Sequence, residues 1–101
     1  MIKHIVMWKL KDFAEGTNRE KNAQRMKEAV EGLKDTIPQI IHIEVGFDVN
    51  RSEAAYDVGL YSEFASREDL RTYQQHPSHL KVAESLVRKV TLDRKVVDYE
   101  I

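Results

Sequence analysis

Cysteine is absent from the 101 residues of this chain, which excludes disulfides and thiolate chemistry and is compatible with a reducing compartment. Neither sign of charge prevails. Sixteen Lys and Arg stand against 17 Asp and Glu, and a formal net charge of −1 supplies no field for nucleic acid or an anionic membrane. No run approaches the roughly 18 apolar residues that a membrane span needs. The opening, Met1 to Trp8, has neither a long apolar region nor a small-residue cleavage site, so it reads as a strand and not a leader. Repeats, low-complexity tracts and linkers are missing, as are nucleotide fingerprints, a P-loop and any flavin motif. The expectation is one cytoplasmic domain over residues 1–101 that needs no organic cofactor and binds neither nucleic acid nor membrane.

What is present is an ordinary globular balance, 42% apolar and 33% charged. Ile2 to Leu10 reads as a first strand, with Ile2, His4, Val6, Trp8 and Leu10 on one face and Ile5 and Met7 on the other. Thr17-Asn18-Arg19-Glu20 has the spacing of a capping box and predicts a helix start. Ala23, Met26, Val30 and Leu33 give that helix one apolar stripe, which Pro38 ends. Ile41, Ile43, Val45 and Phe47 alternate with polar residues or glycine as a second strand. Asp48 to Ala55 reads as a hairpin loop. Tyr56, Val58, Leu60, Ser62 and Phe64 share one face of a third strand. Ser66 caps a short helix with an acidic first turn, and Pro77 suits the first position of another, whose inner stripe is Leu80, Ala83, Leu86 and Val87. Thr91 to Tyr99 is a fourth strand.

Strand, helix, strand, strand, two short helices, strand is the split βαβ order of an α+β, ferredoxin-like fold with a four-stranded antiparallel sheet. Helices cover one face of such a sheet. The first strand nonetheless carries large apolar groups on both faces, and Val90, Leu92, Val96 and Val97 are similarly two-sided. A sheet with one wet face alternates more cleanly. The free face is therefore expected to meet a second sheet, most simply that of another copy, which predicts a homodimer.

The densest chemistry lies between Leu70 and Val82, where Tyr73, His76 and His79 gather around Pro77. His79 has two readings: a base that removes a proton next to a carbonyl, or a hydrogen-bond partner tying its helix to the first strand. Tyr73 would orient it or donate to a developing enolate. His76, pushed out of helical geometry by the following proline, reads as a cap or turn anchor and more weakly as a ligand contact. His76-x-x-His79 lacks a third metal ligand, so no metal site is expected. His4 is either a satisfied core group or a second pocket donor. Trp8 is a core residue or a cover for an aromatic ligand. His42 is expected to be exposed or at an interface, and Lys81, Arg88, Lys89 and Arg94 on a solvated surface.

With Ile2-Lys3-His4-Ile5-Val6, Tyr56-Asp57-Val58-Gly59-Leu60 and Tyr73-Gln74-Gln75-His76-Pro77-Ser78-His79 in view, the chain resembles the stress-responsive α/β-barrel family over its whole length. The resemblance implies a dimeric α/β barrel in which two sheets meet, each subunit keeping a cavity, and most members have no assigned reaction. Similar plant proteins are polyketide cyclases whose acid–base pair matches Tyr73 and His79, with a strand-one histidine matching His4. A further pocket histidine of those enzymes falls near Val58, which cannot replace its hydrogen bonds. Two functions follow as expectations: a small dimeric binding protein with a cavity for an organic ligand, or a cofactor-independent cyclase or lyase acting on a keto compound. Oxygenation, as in the similar antibiotic-biosynthesis monooxygenases, has no residue here that argues for it.

Overall fold

Strand β1 (Ile2–Leu10) is the spine of the sheet in the computed structural model, which describes residues Met1–Ile101. Its alternation decides the layers. Ile2, His4, Val6, Trp8 and Leu10 are buried toward the helices, while Lys3, Ile5, Met7 and Lys9 look to the free face. β1 pairs antiparallel with β5 (Val58–Phe64) on one side and β6 (Thr91–Glu100) on the other. β4 (His42–Phe47) joins β5, giving the order β4-β5-β1-β6. This is the expected ferredoxin-like arrangement of an α+β fold.

Between β1 and the first helix lies a small hairpin, β2 (Phe13–Ala14) with β3 (Thr17–Asn18), which the sequence reading missed. Glu15 and Gly16 turn it at φ of 49° and 81°, the left-handed pair a tight hairpin demands. The hairpin moves the helix start. Asn18, one residue beyond the capping-box position, is the cap, and its side chain accepts from the Lys21 amide at 2.9 Å. α1 (Arg19–Glu31) then buries Ala23, Met26 and Val30, and the 3₁₀ turn after it (Gly32–Asp35) buries Leu33. Buried Asn22 donates to the Ala14 carbonyl at 2.9 Å and ties the hairpin to the helix.

β4 begins one residue later than expected: Ile40 turns inward and Ile41 outward before it. Its outer edge is covered from α1, where Glu31 accepts from the Val45 amide and Lys27 donates to the Val45 carbonyl. β5 begins at Val58, so Tyr56 precedes the strand and donates its hydroxyl to Asp93 at 2.7 Å.

α2 (Arg67–Gln75) is capped by Ser66 as expected, and α3 (Pro77–Val82) carries Pro77 in its first turn. A π-helical turn (Ala83–Val87) and a last short turn, α4 (Arg88–Val90), continue it to β6. The π turn redirects the apolar stripe. Leu80 is 40% exposed instead of buried, Ala83 and Leu86 are half-buried, and Val87 and Val90 reach the core. Val90 thus belongs to the helical layer and not to the last strand. β6 itself is open on its outer edge and exposed along both faces, with Leu92, Val96, Val97 and Tyr99 all uncovered. No helix is long and apolar enough to cross a membrane.

Candidate functional site

Three elements bring the candidate residues together. β1 places His4 and Trp8 two strand-steps apart on the helix side of the sheet. α2 supplies Tyr73 from its last turn, and α3 supplies His79 from its first. The break between the helices lets both rings approach the same space. His76 ends α2 in extended geometry (φ −65°, ψ 135°), Pro77 restarts the chain, and the His76 Nδ1 accepts from the Ser78 amide at 3.0 Å. His76 is therefore the cap of the following helix. It does not line the cavity that the other four candidates share.

That cavity holds about 570 Å³ between the sheet and the α2–α4 layer, a volume typical of small-molecule sites. Val6, Leu60, Val30, Leu33, Val82 and Val87 form its apolar wall, with His4, Trp8, Tyr73, Gln74 and His79 among them. Tyr73 and His79 have ring centres 4.6 Å apart, and His4 meets the Tyr73 ring edge-on at 6.2 Å. Phe64 backs the group, 5.0 Å from Tyr73.

His4 is almost wholly enclosed, and its Nδ1 bonds the Asp98 carboxylate across the β1–β6 pair. The carboxylate fixes the ring orientation. Ser62 donates its hydroxyl to the His4 carbonyl at 3.1 Å, which anchors the backbone from β5. Burial pushes the Tyr73 hydroxyl up to about 12, so at neutral pH it stays a donor, and no protein group bonds it. Burial also pushes the His79 imidazole below its ordinary value, and His4, Arg94 and Arg88 act in the same direction. The Gln74 backbone opposes them without reaching hydrogen-bonding geometry. His79 is thus neutral at pH 7, and its Nδ1 is buried without a partner. The Trp8 Nε1 is in the same state.

Arg88 and Arg94 are exposed, as expected, and also line the cavity mouth together with Asp93. They and Asp98 were missed as site residues. The one available signal was the period-two row Arg94, Val96, Asp98, which faces Trp8, Val6 and His4 once the register is known. No cluster of three or more metal-ligating side chains exists. The arrangement is suited to hydrogen-bonding an oxygen-bearing organic molecule in a largely apolar space.

Sheet order, helical layer and cavity together define a ferredoxin-like α+β protein with a ligand-sized space between sheet and helices. The chain belongs to the stress responsive A/B barrel domain family, whose model matches residues 2–101. It is 30% identical over 103 residues to a stress-response A/B barrel domain-containing protein of Arabidopsis thaliana, covering 98% of this chain and 36% of that protein. The chain thus spans about a third of the length of the curated relative it matches. Among solved structures, it is similar to a dimeric protein of unknown function with a ferredoxin-like fold from Bacteroides fragilis, at TM-score 0.82 and 35% identity over 99% of this chain and 95% of the other. A hydroxynitrile lyase from Passiflora edulis has the same fold at TM-score 0.81, with 19% identity over 99% and 92% of the two chains.

Proposed function

We propose that the chain is a homodimeric, cytoplasmic small-molecule-binding protein whose cavity takes a compact organic compound bearing a hydrogen-bonding oxygen. One observation carries the reading: His4, Trp8, Tyr73 and His79 converge on one cavity of about 570 Å³, and two of them leave buried nitrogens unpartnered there. Buried polar atoms without partners are rare in folded proteins, and two on residues that line one cavity are accounted for by a ligand that bonds them as it enters. The free sheet face supports the dimer. Ile5, Met7, Val97 and Tyr99 form an apolar patch there around the Lys3–Glu63 ion pair, to which the Tyr61 hydroxyl also donates. The dimeric state of the Bacteroides fragilis relative supports it further.

Trp8 is the sole tryptophan, so its fluorescence reports the cavity directly. Acetophenone should quench it saturably. Ala83→Phe, which fills the wall at the π turn, should abolish that response without unfolding the protein. Linear, unsaturated quenching that Ala83→Phe leaves unchanged contradicts the reading.

A second reading, a cofactor-independent cyclase or lyase acting on a keto compound, is favoured by one observation: His79 is neutral and half-buried, with an unpartnered Nδ1, beside a protonated Tyr73. His79 would take a proton from the carbon next to a carbonyl, becoming imidazolium. The electron pair would move to the carbonyl oxygen as an enolate, which Tyr73 would stabilise by donation. His4 donates its Nδ1–H to Asp98, which leaves the Nε2 of the neutral ring as an acceptor for a substrate hydroxyl. Exchange of the acetophenone methyl protons into deuterated water tests this step without knowledge of the natural substrate. Exchange above background that disappears in His79→Ala supports it. Exchange undiminished in that variant rules it out.

A further inference from the structure

We propose that the ligand of this cavity is a carboxylic acid, its carboxylate held between the Trp8 indole and the Arg94 guanidinium and its apolar body against Val6, Leu60 and Val87. The inference rests on the binding reading above and narrows it to a chemical class. Trp8 and Arg94 are direct partners in the β1–β6 register, so their side chains leave the sheet on the same face as neighbours. Both line the cavity. Each is a pure donor: indole has one N–H and guanidinium five, and neither accepts.

Neither donor is satisfied by the protein. Trp8 is 5% exposed, and its Nε1 is buried without an acceptor. Arg94 has no carboxylate partner, and unlike Arg25, Arg51 and Arg71, which also have none, it lines this cavity. The two acids nearby are committed elsewhere. Asp93 also lines the mouth, but its carboxylate is engaged, accepting from the Tyr56 hydroxyl at 2.7 Å and from the Arg94 amide at 2.8 Å. Asp98 bonds His4. Arg88 adds positive charge at the same mouth, partly offset by Glu84 at 3.8 Å.

A corner whose unengaged groups are donors, at the edge of an apolar cavity, selects its ligand. A neutral carbonyl satisfies the indole and leaves the guanidinium unpaired. A carboxylate offers one oxygen to each, and hydrogen bonds to an ionised group are the stronger kind. The surrounding valines and leucines give a hydrophobic body its burial, which disfavours small, fully hydrated anions.

The test uses the intact protein, whose single tryptophan gives one indole N–H resonance in heteronuclear NMR. The probes are cinnamate and its neutral counterpart cinnamamide. Cinnamate should move the resonance downfield to saturation, and cinnamamide should bind roughly tenfold more weakly, the order expected for one charge-assisted bond. Arg94 is exposed on the edge strand, so Arg94→Gln should fold normally and lower cinnamate to the affinity of the amide. Arg94→Lys should retain part of the preference. Equal affinities for acid and amide, or a preference that survives Arg94→Gln, overturn the proposal and leave the binding reading intact. If neither probe moves the resonance at millimolar concentration, both readings fall.

Discussion

Tyr73 and His79 sit with ring centres 4.6 Å apart although a proline separates the helices that carry them. A continuous helix would have set positions six apart on different faces, since six residues advance the helix by well over one and a half turns. The break at His76 and Pro77 brings both rings to one cavity wall. Their burial there has measurable consequences.

The Tyr73 hydroxyl, pushed up to about 12 from an ordinary value near 10, makes the fold sensitive to alkali. Between those values the native state keeps a proton that the unfolded chain has lost. Stability is therefore complete below about pH 10 and falls as pH rises toward 12, by roughly 3 kcal/mol for this group. Urea unfolding across that range checks the slope, and Tyr73→Phe should flatten it.

His79 works at the acid end with the opposite sign. Its folded value is depressed by burial, so below about pH 6.5 the unfolded chain takes up a proton that the native state resists. Its contribution is present at neutral pH and is lost as pH falls through the depressed folded value. In NMR titration, the His79 imidazole should titrate below the ordinary histidine value of about 6.5. A midpoint at or above that value contradicts the description of its environment.

His76 should prove structural. Its ring accepts from the Ser78 amide and lies outside the cavity. His76→Ala should cost about 1 kcal/mol, as loss of a helix cap does, and lower the melting temperature by a few degrees. Affinity for a cavity ligand should change little.

Val97 stands opposite Ile5 on the free face of the sheet. Val97→Asp puts a charge in the proposed interface and should convert a dimer to a monomer in light scattering at micromolar concentration. Val49→Asp, at a position 92% exposed in the β4–β5 loop, should leave the mass unchanged.

The sequence carried the layers well because they rest on local periodicity. The buried face of β1, the Ala23-Met26-Val30-Leu33 stripe, the Ser66 cap and the placement of Pro77 all follow from spacing or one side-chain bond. What it did not carry depends on long-range geometry. The partnership of His4 with Asp98 and of Trp8 with Arg94 is a matter of register between strands some ninety residues apart, adjusted by an irregularity between Lys9 and Leu10. The π turn at Ala83–Val87 has no sequence mark, so the exposure of Leu80 and the burial of Val90 were out of reach. The β2–β3 hairpin turns on Glu15-Gly16, a weaker signal than Asn-Gly.

The central claim is that His4, Trp8, Tyr73 and His79 surround a space that a small molecule enters. Chemical-shift mapping of the intact protein titrated with acetophenone tests it most directly. The account predicts saturable shifts concentrated at those four residues and their wall neighbours Val6, Leu60 and Val87. Shifts confined to the free sheet face, or none at ligand concentrations in the millimolar range, contradict it.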